Sequence, residues 1–193
     1  MAYKKTPRKK IFIPEAELQW RPNFSGNPEM NYNKNSNAKN FTVVVKEGAG
    51  YKYGKNDLKI DDLEKDGINV KYTKPKDKDE VPVAYLQVKV NFNGSKPPTV
   101  IQATKRNKIL LDDATIGLLD DADITSIHDM YLTLSAWEMK DGKTYDESRK
   151  SVYLDAMFVE IEDNPFMDKY ADVVAGSQNG APTIEELDED IPF

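Results

Sequence analysis

The stretch VAYLQVKVNF, residues 83–92, alternates with a period of two. Ala84, Leu86, Val88 and Val90 fall on one side, and Val83, Tyr85, Gln87, Lys89 and Asn91 on the other. Successive side chains of an extended chain point to opposite faces. The pattern therefore predicts a strand with one apolar face and a second face carrying a ring, an amide and an ammonium. Such a strand needs neighbours, and the sequence supplies them in both directions.

Upstream, IFIPEAELQW (11–20) reads as a first strand with Ile11, Ile13 and Leu18 apolar, and Pro14 confines it to an edge or a bulge. FTVVVK (41–46) and INVKYT (68–73) read as strands. Between them DLKIDDLEKDG (57–67) reads as a short helix with Asp57 at the N-cap and Gly67 just past its end. Downstream, PPTVIQAT (97–104), ITSIHDMYLTLSAW (124–137) and RKSVYLDAMFVEIE (149–162) add strands, the last with Val152, Leu154, Met157, Val159 and Ile161 apolar. DDATIGLLDDAD (112–123) reads as an amphipathic helix burying Leu118 and Leu119, and the Asp-Gly of MKDGKTYDES (139–148) marks a hairpin. RPNFSGNPEMNYNKNSNAKN (21–40), crowded with Asn, Gly, Pro and Ser, reads as a long loop. Seven or eight strands joined by hairpins rather than crossover helices predict a mainly β protein. The expected form is an OB-fold-like antiparallel barrel, closed or partly closed, with long loops and one or two short helices.

Three segments follow. Residues 1–10 (MAYKKTPRKK) hold five basic residues and nothing to bury, which predicts a flexible basic arm. Residues 11–174 form the barrel domain. Residues 175–193 (AGSQNGAPTIEELDEDIPF) are poor in apolar side chains and predict a disordered acidic tail.

Composition narrows the chemistry. The 193 residues include no cysteine, which removes disulfides, thiol catalysis and Cys-ligated metals. His128 is the one histidine, so a two-histidine metal site is excluded. No GxxxxGK[ST] or GxGxxG cradle is present, and no apolar run approaches the roughly 20 residues of a membrane helix. The acidic pairs Asp61-Asp62, Asp112-Asp113 and Asp120-Asp121 could in principle hold Mg²⁺ for a nuclease, but each falls at a helix start, on a helix face or at a helix end, where solvated carboxylates are routine. The expectation is a protein without cofactor, without metal and without enzymatic activity. The net charge of −6 conceals an asymmetry: residues 1–110 carry 22 Lys/Arg against 12 Asp/Glu, residues 111–193 carry 5 against 21. A polyanion partner for the first half is one reading, and mutual neutralisation of the halves within the fold is the other.

Aromatic residues recur beside bases or amides: Trp20-Arg21 with Asn23-Phe24, Tyr32-Asn33-Lys34, Asn40-Phe41, Lys71-Tyr72, and Tyr85 with Gln87 and Lys89. Unpaired bases stack on flat rings while cations track phosphates, so this mixture suits a single-stranded nucleic acid. The basic turn Lys105-Arg106-Asn107-Lys108 sits where a strand reverses and is placed for a phosphate. Phe24 and Tyr32, in the Asn-rich loop, favour ligand contact; Tyr85 and Trp137 stay open between core and contact.

These residues resemble the single-stranded DNA-binding proteins of tailed bacteriophages, built on an elaborated OB fold. The landmarks are WRPNFSGNP (20–28), Asn40-Phe41, DGINVKYTKPKD (66–77), YLQVKVNF (85–92), PPTVIQATKRNKILLDD (97–113) and SVYLDAMFVEIEDNPFMDKYADV (151–173). The basic arm, the insertion at 47–57 and the KRNK turn depart from the pattern. The resemblance implies a sequence-tolerant binder that protects and organises single strands in replication, recombination and repair, in the cytoplasm of an infected bacterial host. The DNA-contacting set expected from it is Trp20, Arg21, Phe24, Tyr32, Phe41, Lys71, Tyr72, Tyr85, Lys89, Lys105, Arg106 and Lys108.

A second resemblance concerns DEDIPF (188–193), which is similar to the acidic tip of bacterial single-stranded DNA-binding proteins. It implies that Asp188, Glu189, Asp190, Ile191, Pro192 and Phe193 dock replication or recombination proteins, the Phe193 ring entering an apolar pocket. Membrane partners are not expected, and the oligomeric state stays open between monomer and homodimer. The rival reading, from the acidic second half, is a nucleic-acid mimic that inhibits a host DNA enzyme.

Overall fold

In the computed structural model the described residues are 9–48, 50–75, 77–94, 96–105, 107–135, 139–141, 144–146 and 150–162. Their strands are β1 (Lys10–Glu15), β2 (Lys39–Val44), β3 (Lys52–Tyr53), β4 (Asn56–Asp57), β5 (Lys71–Tyr72), β6 (Ala84–Val90), β7 (Thr99–Ala103), β8 (Lys108–Leu111), β9 (Ile124–Leu134), β10 (Met139–Asp141), β11 (Thr144–Asp146) and β12 (Val152–Ile161). One α-helix, α1 (Ile60–Lys65), and two 3₁₀ turns, Pro28–Met30 and Ile116–Asp120, complete them. The protein is mainly β, as the alternation in residues 83–92 predicts. Among the described residues no helix is long and apolar enough to cross a membrane.

Ten strands form one sheet in the order β2-β6-β12-β9-β1-β3-β4, with β5 added beside β6 and β7-β8 branching from β12. The path does not close on itself, and two of its pairings are parallel. The start of β12 runs parallel to β6 (Val152↔Val88) and its remainder runs parallel to β7 (Ala156↔Thr99 through Glu160↔Ala103). Its other edge pairs antiparallel with β9 along nearly the whole strand. Thus β12 is the hinge on which the sheet divides, and β10 pairs with β11 as a separate ribbon.

The β9–β12 ladder shifts register at three points, and the first two set its outward face. Leu132 faces Leu154 and Tyr131 faces Ala156, which leaves Asp155 as an extra residue in β12. Next, Phe158 faces His128, so β9 advances three residues while β12 advances two. The extra β9 residue lies at Asp129, whose φ of 29° is the one positive value among described non-glycine residues. Bulges re-aim side chains and increase local twist. Here they bring Tyr153 and Phe158, five apart, to one face, and His128 and Tyr131, three apart, to that same face.

The opposite face is the core. Ile11 and Ile13 of β1, Leu86 and Val88 of β6, Met130 and Leu132 of β9, and Leu154, Met157 and Val159 of β12 are all buried. Leu63 of α1, Ile116 and Leu119 also reach it. The helix ends as the sequence predicts: the amides of Gly67 and Ile68 donate to the carbonyls of Glu64 and Leu63, with Gly67 at φ 80°. Its start differs. Asp57 is paired with Lys52 in the β3–β4 hairpin, and the Ile60 amide donates instead to Glu47 Oε1. The stretch 112–123 forms a 3₁₀ turn rather than an amphipathic helix, and its three-residue repeat buries Ile116 and Leu119 while leaving Leu118 exposed.

The Asn-rich loop 21–38 is fixed by its own amides. Asn31, buried, donates from Nδ2 to the carbonyls of Ser36 and Ala38 and accepts at Oδ1 from Asn23 and Asn40. Gly26 adopts φ 75°, and a Cβ there would stand 2.4 Å from the Asn37 carbonyl oxygen, so the turn excludes any other residue. Asp120 closes the loop from outside, accepting from the amides of Phe24 at 2.6 Å and Ser25 at 2.8 Å.

Candidate nucleic-acid interface

The outward side chains of β6 are Tyr85, Gln87 and Lys89, opposite the buried Ala84, Leu86, Val88 and Val90. Trp20, half exposed, leaves the β1–β2 connection and sets its ring edge-on to Tyr85, centroids 4.7 Å apart at 85°. Lys71 of β5 lies beside Tyr85 in register, and its ammonium donates to Gln87 Oε1 at 3.2 Å. Farther along, the Lys89 ammonium donates to Ser151 Oγ and lies 5.8 Å from the centre of the Tyr153 ring, its register partner in β12. Across β9 and β1, Tyr131 and Phe12 are partners with ring centroids 4.8 Å apart. Phe158 follows, 5.7 Å from the His128 ring and 5.2 Å from the Lys108 ammonium.

One face of the sheet therefore carries aromatic rings, each with a second ring or a lysine beside it. Offset and edge-on ring pairs leave a π-face available for a further ring, and an ammonium above a ring is placed to meet an anion next to it. Two carboxylates on this face are already engaged. Asp155 pairs with Lys10, and Glu160 accepts from His128 at 3.2 Å and from Ser126 Oγ at 3.1 Å. The His128 hydrogen bond, followed by that of Ser126, holds the Glu160 carboxyl below the usual carboxylate range.

The expected contact residues divide. Trp20, Tyr85, Lys71, Lys89 and Lys108 are brought onto this face. Tyr72 is exposed but lies one step from Lys71 beside Ala84, so strand alternation sends it to the other side. Tyr32 is fully exposed on the Asn31-anchored loop, which is tied through Asn40 to the register position of Lys89. Arg21 is held by the Asp121 carboxylate and by the Asp120 carbonyl at 3.3 Å. Lys105 is exposed in the β7–β8 turn, where the Thr104 amide donates to the Asn107 carbonyl.

Two assignments are corrected. Phe24 and Phe41 are fully buried, with ring centroids 5.3 Å apart, and no base can reach either. The loop sequence looks solvent-exposed, yet Asp120 and the Asn31 hydrogen bonds fold it back so that Phe24 plugs the core. Arg106, Trp137, the arm residues 1–8 and the tip residues Asp188, Glu189, Asp190, Ile191, Pro192 and Phe193 lie outside the described residues. The same face also carries Phe12, Tyr131, Tyr153 and Phe158, which the sequence alone does not single out. For Phe158 the signal is the break in apolar spacing from Leu154 to Met157, three rather than two, which marks a bulge in β12, whereas Phe12 simply alternates with the buried Ile11 and Ile13.

Of the carboxylate pairs considered for a metal, Asp112-Asp113 and Asp120-Asp121 are taken up by the fold, and Asp62 of the third lies 3.9 Å from Lys65. Asp112 accepts from the amides of Ala114 and Thr115, Asp113 pairs with Lys39 at 2.7 Å, Asp120 clamps the loop and Asp121 holds Arg21. Among the described residues no three potential metal ligands gather.

Comparison with known proteins finds no matching curated protein and no matching solved structure. A family match does exist, to the family described as "Putative phage ssDNA-binding domain", over residues 1–190. Spanning nearly the whole chain, that match includes every strand of the aromatic face, and the chain belongs to this phage single-stranded DNA-binding domain family.

Proposed function

We propose that the protein is a non-enzymatic, sequence-tolerant binder of single-stranded DNA that lays the strand across the exposed face of β1, β9, β12 and β6. The observation that carries this reading is the series Trp20–Tyr85, Lys89–Tyr153, Phe12–Tyr131 and Lys108–Phe158 on one face. Every base has a π-face, so stacking of about 1–3 kcal/mol per base supplies affinity without reading sequence. Paired bases hide those faces, so duplex DNA is disfavoured. Lysines 71, 89 and 108 take phosphates and release counterions, at about 0.7 per phosphate on a single strand.

In an infected bacterial host such a protein would coat strands exposed in replication, recombination and repair. The sequence DEDIPF supports a recruiting role for the tip: acids keep it solvated and steer it to basic pockets, and Pro192 limits the entropy lost on docking. The test is an anisotropy titration of labelled oligo-dT against duplex of equal length over a range of salt. Tight, salt-sensitive binding of the single strand alone supports the reading, and equal affinity for both overturns it.

A further inference from the structure

At the end of the aromatic face the sheet opens into a cleft of about 690 Å³. It begins where the Phe12–Tyr131 pair stops: Pro14 and Glu15 of β1 line it beside His128 and Asp129 of the neighbouring strand β9. Phe158 closes it, its ring tilted against that of His128. The volume lies within the range of about 300–1,000 Å³ usual for small-ligand sites, ample for one nucleobase.

Most polar groups in the cleft are already bonded. The Tyr51 hydroxyl donates to the Glu15 carbonyl at 3.1 Å, Lys46 is paired with Glu17 at 2.9 Å, and His128 is engaged by Ser126 and Glu160. Two carboxylates remain. Among the described residues the Asp129 side chain makes no hydrogen bond or ion pair, and Glu15 is bonded through its backbone only. Asp129, the left-handed bulge residue, lines the cleft. A ligand entering between Phe158 and these groups meets an aromatic wall and hydrogen-bond acceptors.

Acceptors select among bases. Thymine flanks its single N3–H with two carbonyl oxygens, which a carboxylate repels. Cytosine and adenine each set one amino donor beside a ring nitrogen that is itself an acceptor. Guanine alone presents two adjacent donors, N1–H and the N2 amino group, matching the two oxygens of a carboxylate as a planar fork. Unstacked bases in single strands are read along this edge by side chains that also stack on them. The same carboxylates repel phosphate, so the base rather than the backbone is drawn in.

We propose that this cleft is a guanine-preferring base pocket, with Asp129 accepting from N1–H and N2–H while the base lies against Phe158. The inference rests on the single-strand reading above and gives a sequence-tolerant binder one local preference. The test uses the full chain and a fifteen-nucleotide oligo-dT, alone or with its central residue replaced by dG, dI, dA or dC. The dG strand should bind about fivefold or more tighter than oligo-dT. Hypoxanthine (dI), which keeps the ring and N1–H but lacks the N2 amino group, should lose most of that gain, and Asp129→Asn should bring the dG-to-dT ratio near one. Asparagine tolerates the left-handed backbone, so this variant preserves the bulge. Equal binding of the dG and dT strands, a gain shared equally by dA, or a preference that survives Asp129→Asn would overturn the pocket while leaving single-strand binding intact. Failure to bind any strand would overturn the underlying reading instead.

Discussion

Replacing Trp20 by alanine and, separately, Phe24 by alanine separates the interface from the core. The two residues are four apart in sequence, and both belong to the WRPNFSGNP landmark. Trp20 is half exposed, with its ring edge-on to Tyr85, whereas Phe24 is fully buried against Phe41. Loss of one stacking ring should weaken oligo-dT binding by about 1–3 kcal/mol, a factor of about 5 to 150, with little change in melting temperature. Loss of Phe24 leaves a cavity and should cost about 3–5 kcal/mol of stability. For a chain of this length that lowers Tm by about 6–20 °C. The protein that remains folded should still bind oligo-dT within a fewfold of the parent. Anisotropy titrations below the transition, paired with thermal denaturation of each variant, give both numbers. If Trp20→Ala destabilises without changing affinity, or Phe24→Ala abolishes binding by folded protein, the division of the face from the core is wrong.

Asn31→Ala should weaken oligo-dT binding mainly through Tyr32, because four hydrogen bonds at Asn31 shape the loop that presents that ring. The effect should largely vanish when measured in a Tyr32→Ala background, and an undiminished effect there would contradict it. The Asp66 carboxyl is held below its usual range first by the Lys9 ammonium and then by the Tyr53 hydroxyl. A depressed folded-state value stabilises above the unfolded carboxyl range, near 4, and that contribution disappears as pH falls through the folded value. Denaturant melts of the parent and Asp66→Asn should therefore differ at pH 7 and converge near pH 2, and a pH-independent gap would refute the assignment. Deleting residues 186–193 should leave oligo-dT affinity equal or higher, and a large loss would show that the tip contributes to DNA binding.

Much of the fold was legible because it follows from local alternation. The faces of β6 are those read from residues 83–92, and Gly67 ends α1 where its backbone freedom permits. What escaped the sequence depends on partners distant along the chain. The parallel pairing of β12 with β6 and β7 joins segments about sixty residues apart, and no hairpin signal announces it. Asp57 has the chemistry of an N-cap but is claimed by Lys52, and Glu47 takes over the helix start. The face itself was half legible. Tyr85, Lys89 and Trp20 stood out, whereas the bulges at Asp155 and Asp129 decide that Phe158 shares a face with Tyr153 and His128 with Tyr131. Phe24 was misplaced because its polar neighbours look solvated until Asp120 and Asn31 are seen to satisfy them.

Photocrosslinking reads out whether single-stranded DNA lies on the outward face of β6, β12, β9 and β1. Oligonucleotides carrying 5-iododeoxyuridine at successive positions would be crosslinked to the full chain and the adducts mapped by mass spectrometry. Adducts are expected at Trp20, Tyr85, Tyr153, Tyr131, Phe12 and Phe158. Adducts concentrated instead on Tyr72 or the β3–β4 hairpin, with these six residues unmodified, would contradict that placement.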